Sequence, residues 1–262
     1  MNSREDKLNA FGRLLDVMDE LREKCPWDKK QTMQSLRYLT IEELYELSDA
    51  IIENDMHEIK KELGDLLLHV VFYSKIASEE NHFNIEDVIN SICDKLIHRH
   101  PHIYSNVKVN DEKEVKKNWE NLKLKEGKKS VLEGVPESLP SLVKTYRIQE
   151  KVKGVGFDWD NKNQVWDKFI EEINELQYEV KEGNIDRIES EFGDVLFSLI
   201  NYARFININP IDALEKTNKR FKSRFQIMEK LIQKENLFFD EMNLDQMDEF
   251  WEIAKIKYEQ DQ

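Results

Sequence analysis

The chain has 262 residues with 8 Gly, 5 Pro, 2 Cys and a formal net charge of −14 at pH 7. So few turn-forming residues leave little room for an all-β protein, and an all-α fold is expected. The negative charge repels nucleic-acid backbones and anionic lipid, which excludes non-specific nucleic-acid binding.

In chain order, the opening MNSREDKLNA mixes both charge signs and lacks the apolar run of a signal peptide. Cys25 and Cys93 lie far apart and outside any CxxC, so neither a disulfide framework nor a zinc site is expected. The location expected is cytoplasmic. Residues 41–53 carry Ile41, Leu44, Leu47, Ile51 and Ile52 at helical spacing, with Glu42, Glu43, Glu46 and Asp49 on the opposite arc. Asn54-Asp55 breaks the pattern, and a second helix begins near Met56. From Leu63 to Tyr73 it is apolar nearly all round, which predicts burial. Gly64, Asp65 and His69 interrupt that stretch, so nothing there spans a membrane.

The chain then repeats itself. Residues 41–73 align without a gap to 170–202, with 12 of 33 positions identical and six of those twelve acidic. The acidic matches are Glu42/Glu171, Glu43/Glu172, Glu46/Glu175, Glu53/Glu182, Glu62/Glu191 and Asp65/Asp194. Trp27-Asp28 answers to Trp159-Asp160, Lys95 and Arg99 to Arg220 and Arg224, and Trp119-Glu120 with Lys123 to Trp251-Glu252 with Lys255. The segment 127–140, GKKSVLEGVPESLP, reads as a linker. Two tandem helical-bundle domains are expected from this internal duplication, 1–126 and 141–262.

Each repeat reads as an antiparallel helix pair with a short turn, at Asn54 in the first and at Gly183-Asn184 in the second. Glu46 and Glu62 lie eight residues either side of Asn54, and Glu43 and Asp65 eleven. Such residues sit at equal heights, and the i,i+3 spacing puts Glu43 over Glu46 and Glu62 over Asp65. Four carboxylates are expected to converge, at a cost that only a cation offsets if they are buried. The alternative is a solvated acidic face, which a single Glu-rich helix would support but a repeated constellation does not.

The second repeat contains neither His nor Cys, so its ligands are oxygens, which suits Mg²⁺ or, as a substitute, Mn²⁺. A di-iron oxidoreductase would want Glu-x-x-His on the core helices. Glu79-x-x-His82 lies outside the hairpin, and neither it nor His98-x-His100-x-His102 has a counterpart in the second repeat. No Gly-rich phosphate loop occurs, so phosphate contacts are expected from side chains. Arg220 and Arg224 share a helix face shortly after the second hairpin, and Lys168 lies one turn before Glu172. Trp251 could cover a base or pack in a core. Carboxylate-held metal with cationic side chains describes a phosphoanhydride hydrolase. A regulatory protein that binds nucleotide or a partner without turnover is the competing reading.

The pattern EExxE, fifteen residues, then ExxD (EELYE…ELGD and EEINE…EFGD) resembles the MazG family of nucleoside triphosphate pyrophosphohydrolases. CPWDKKQT, KLIHRHPHIY, GVPESLPSLVKTYRIQEKVKGVGFDWD and NKRFKSRF resemble it too, so the likeness covers nearly the whole chain. It implies an all-α fold, Mg²⁺ dependence, a homodimer, and cleavage of nucleoside triphosphates to a monophosphate and pyrophosphate. Carried over by motif, it makes Glu172, Glu175, Glu191 and Asp194 the metal ligands, with Glu43, Glu46, Glu62 and Asp65 as first-repeat matches. Glu171 joins the four as a catalytic candidate. Lys168, Glu171, Arg220, Arg224 and Trp251 fall where the family contacts nucleotide. The first repeat departs at Leu39, which aligns with Lys168, and at His98 and His100 in its basic segment. The second domain is therefore expected to be the main catalytic one.

Overall fold

The computed structural model of the chain describes residues 3–105, 107, 114–115, 119 and 130–260, and among these residues every regular element is a helix. The chain divides into two compact units, 1–112 and 113–262. The expected boundary at 126/127 lies outside the described residues, as do Glu120, Lys123 and positions 127–129 of the linker.

The first unit comprises α1 (Arg4–Lys24), α2 (Met33–Glu53), α3 (Met56–Glu79), α4 (Ile85–Arg99) and the short α5 (Pro101–Tyr104). Ser3 and Asp6 form a capping box at the start of α1, and Thr32 and Ser35 form one at α2. α2 ends at Asn54, whose φ of 57° is the left-handed conformation that Asn adopts at modest cost. Asp55 then starts α3 by accepting from the backbone N–H groups of His57 (2.9 Å) and Glu58 (3.1 Å). The turn therefore falls where the sequence breaks. Met18, Leu36, Val71, Phe72 and Ile76 form the core joining α1, α2 and α3.

The second unit comprises α6 (Ser141–Lys153), α7 (Lys162–Glu182), α8 (Ile185–Phe205), α9 (Pro210–Lys234) and α10 (Leu244–Gln260). Gly183, with φ of 77°, ends α7, and Asn184 caps α8. α7 packs along α8, and α9 along α10. Buried Gln149 on α6 donates to the Phe197 carbonyl at 2.8 Å, tying α6 to the hairpin. Met228, Ile232 and Ala254 form the α9–α10 core.

One buried or half-buried arginine anchors the Trp-Asp loop of each unit. Arg22 pairs with Glu79 and donates to the carbonyls of Asp28 and Gln31. Arg204 pairs with Asp158, Nη1 lying 2.9 Å from Oδ2, and donates to Asn201 at 3.1 Å.

The all-round burial expected of 63–73 is not found. Val71 and Phe72 are buried, but Leu63, Leu67 and Val70 are exposed. α8 behaves alike, with Ile200 buried and Leu196, Leu199 and Phe192 (54% exposed) on the surface. The reason is geometric: one partner helix covers one face of an apolar helix, and the remaining stripe stays open. Among the described residues no helix is long and apolar enough to cross a membrane.

Candidate metal and nucleotide site

In the second unit, α7 presents Lys168, Glu171, Glu172 and Glu175 one turn apart, and α8 brings Glu191 against them. One carboxylate oxygen each from Glu172, Glu175 and Glu191 lies within 4.8 Å of the others. Glu172 is 8% exposed. Lys168 Nζ lies 2.8 Å from Glu171 Oε1 and 2.8 Å from Glu172 Oε1. The bond to Glu171, and then that to Glu172, raises the Lys168 pKa and holds it charged. Burial, and then the Glu172 charge, pushes the Glu175 carboxyl above the usual range. Asp194 is exposed and does not join the three, although it follows Glu191 by one turn.

The first unit repeats the cluster with Glu43, Glu46 and Glu62. Glu62 is 2% exposed; its Oε1 lies 2.9 Å from Lys61 Nζ, and its buried Oε2 has no hydrogen-bond partner. Burial raises the Glu43 carboxyl to about 7, helped by a hydrogen bond to Glu62 and by the charges of Asp65, Glu46 and Glu62. Asp65 thus acts on the cluster electrostatically without joining it. In each unit three of the four expected carboxylates converge, and one of the three is buried. The all-oxygen donor set of each cluster, joined in the first by the orphaned buried Glu62 Oε2, fits a hard divalent cation.

Beside the second cluster runs a cleft of about 660 Å³ along α7, whose walls include Glu171, Asn174, Glu175, Tyr178, Glu179 and Glu191. Of the expected nucleotide contacts, Lys168 and Glu171 are bonded at the cluster. The other three are placed on α9 and α10 with partners there. Arg220 donates to Thr217 (3.4 Å) and Arg224 to Glu259 (3.2 Å), and Trp251 packs on Phe221 with ring centroids 5.1 Å apart.

The histidine motifs take no part in a metal group among the described residues. Glu79 of the Glu-x-x-His motif is bound to Arg22. His100 Nδ1 lies 2.6 Å from the Leu96 carbonyl. Leu39 packs on the core of the first unit.

Sequence reasoning missed two features. Lys61 supplies the first cluster with a cation from α3, whereas Lys168 supplies the second from α7. Aligning the repeats residue by residue, which sets Leu39 opposite Lys168 and Lys61 opposite Ser190, carried that signal. Glu179 with Arg187 also went unnoticed, because Ala50 and Glu58 stand at their first-repeat counterparts.

The domain described as the MazG nucleotide pyrophosphohydrolase domain matches this chain twice, at residues 31–104 and 161–236. The nucleoside triphosphate pyrophosphohydrolase of Escherichia coli K12 is 38% identical over 257 residues, covering 95% of this chain and 98% of that protein. The protein of Thermotoga maritima named nucleoside triphosphate pyrophosphohydrolase/pyrophosphatase MazG is 44% identical over 250 residues, covering 94% and 95%. A solved mazG-related protein from Thermotoga maritima is 26% identical with a TM-score of 0.39, covering 43% of this chain and 98% of that one. With the family domain present twice, each copy containing one acidic helix hairpin, the chain belongs to the MazG nucleotide pyrophosphohydrolase family of phosphoanhydride hydrolases.

Proposed function

We propose that the protein is a Mg²⁺-dependent nucleoside triphosphate pyrophosphohydrolase that converts NTPs and dNTPs to a nucleoside monophosphate and pyrophosphate in the cytoplasm. The observation that carries this reading is the group of Glu172, Glu175 and Glu191, with a fixed ammonium, Lys168, 2.8 Å from Glu172. Glu172, Glu175 and Glu191, with Asp194 one turn beyond Glu191, would hold a divalent cation, which would supply charge neutralisation for the polyphosphate and activation of a water.

The chain's own groups divide the remaining work. Lys168 exchanges a carboxylate for a phosphate oxygen, and Arg220, Arg224 and Trp251 bind nucleotide as the family motif implies. Glu171 stands outside the three-carboxylate group and takes the proton of the attacking water. The water oxygen bonds to the α-phosphorus, the bond from that phosphorus to the α–β bridging oxygen breaks, and pyrophosphate leaves with the bridge. The exposed apolar stripe of Phe192, Leu196 and Leu199 on α8 supports a homodimer in which a second copy covers it.

The first repeat supports a second, narrower reading. Its carboxylates converge as well, but Leu39 stands where Lys168 does and Tyr45 where Asn174 does. We assign it metal binding with little turnover.

The test is a panel of NTPs and dNTPs with Mg²⁺, scoring pyrophosphate against orthophosphate. Pyrophosphate in step with monophosphate is expected, and its loss in Glu172→Ala and Asp194→Ala with the fold intact. Orthophosphate as the first product, or turnover surviving excess EDTA, contradicts the reading.

A further inference from the structure

The cleft on α7 carries more chemistry than hydrolysis uses. Glu179 stands one turn beyond Glu175 and is 9% exposed. Its Oε1 lies 3.4 Å from Arg187 Nη1 across the Gly183 turn, while its Oε2 is buried without a hydrogen-bond partner. Leaving a buried carboxylate oxygen unpartnered is costly, and a donor from a ligand would remove the cost. The helix hairpin itself does not need the group, since Ala50 is the counterpart in the first repeat.

The order of groups along α7 indicates what that donor belongs to. At 100° per residue, Lys168, Glu172, Glu175 and Glu179 fall on one stripe of the helix. From Lys168 to Glu179 the stripe runs about 16 Å. A cation for the polyphosphate comes first, then the carboxylate group at the α-phosphate, then the cleft end with Tyr178 and Glu179. That is the order of parts in an extended nucleoside triphosphate, with the base at Glu179.

Resting on the pyrophosphohydrolase reading, we infer that Glu179 reads the base at the second site by accepting hydrogen bonds from the edge of guanine, with the exposed Tyr178 ring beside it. An ionised carboxylate only accepts, and its two oxygens can take two parallel N–H bonds while Oε1 keeps Arg187. Adenine and cytosine place an acceptor nitrogen beside their amino group. Uracil and thymine flank their N–H with two carbonyls. Guanine presents two adjacent donors, N1–H and the 2-amino group, and so matches Glu179.

The experiment uses the full chain with Mg²⁺ and compares kcat/KM for GTP, inosine triphosphate and ATP in the wild type and in Glu179→Gln. The wild type is expected to favour GTP over ATP by about tenfold or more, with inosine triphosphate, which lacks the 2-amino donor, between them. Glu179→Gln is expected to lose about tenfold on GTP and to stay within about twofold on ATP. Equal losses on GTP and ATP would make Glu179 a structural support and overturn the inference. A wild type that hydrolyses all three equally overturns it too, while leaving the pyrophosphohydrolase reading intact; a wild type that hydrolyses none removes both. Calorimetric binding of GMP and AMP to the wild type decides the point even if the variant fails to fold: GMP is expected to bind more tightly, and equal binding contradicts the assignment.

Discussion

Lys168 Nζ lies 2.8 Å from Glu172 Oε1, and its counterpart Leu39 leaves the first repeat without that contact. The first repeat instead draws its cation from the other arm of the hairpin, where Lys61 Nζ lies 2.9 Å from Glu62 Oε1. The two clusters thus have similar acids but opposite charge geometry. Lys168 reaches the carboxylates from the α7 side, along which the cleft runs.

If Lys168 passes from Glu172 to phosphate during turnover, Lys168→Met removes a charge-assisted hydrogen bond. Such a bond is worth roughly 1.5–3 kcal/mol, or about 10- to 150-fold in kcat/KM. Steady-state kinetics on one triphosphate measures it. A variant as active as the wild type would remove Lys168 from the site.

Glu43 sets a pH dependence in the first unit. Its carboxyl rises to about 7 in the folded chain from an ordinary 4.5. Between those values the folded chain holds more protons than the unfolded one, so stability from this group is full below about 4.5 and is lost as pH rises to about 7. Urea melts of metal-free protein are expected to show that decline, and Glu43→Gln to flatten it. If the deprotonated carboxylates hold Mg²⁺ as proposed, adding it is expected to restore stability at pH 7 and above. A pH profile identical in Glu43→Gln contradicts the assignment.

The turn positions, the helical class and the acidic hairpins were legible because each rests on local chemistry. Asn54 and Gly183 tolerate positive φ, and the i,i+3 carboxylates must share a helix face. The placement of Asp65 and Asp194 outside the three-carboxylate groups was not legible. Height along a hairpin says nothing of where a short Asp side chain ends, and Glu reaches one methylene further. The exposed stripe of α3 was misread at 63–73, because an apolar helix looks the same in sequence whether its own chain covers it or not.

Arg204 is buried against Asp158 and Asn201, and this pair fixes the loop carrying Trp159. Arg204→Ala leaves Asp158 without its partner and is expected to destabilise the second unit by about 3–5 kcal/mol, the cost of breaking a buried pair. Chemical denaturation checks it; a loss under about 1 kcal/mol would place the pair with ordinary surface bridges.

Gly193 lies inside α8 between Glu191 and Asp194, and a Cβ added there meets nothing within 4 Å. In a lone chain Gly193→Ala would favour the helix by roughly 0.5–1 kcal/mol. If a second copy seats on the stripe beside it, the same change weakens the dimer. Light scattering is expected to give a wild-type dimer of the 31.3 kDa chain and a larger monomer fraction in Gly193→Ala. A wild type near 31 kDa at micromolar concentration contradicts the dimer.

In the proposed reaction the carboxylates of the second hairpin carry out the hydrolysis. Glu46 and Glu175 are equivalent residues of the two clusters, so Glu46→Ala and Glu175→Ala, assayed for pyrophosphate release under identical conditions, test it most directly. Glu175→Ala is expected to lose more than about tenfold while Glu46→Ala keeps most of its turnover. Equal losses, or the reverse order, would contradict it.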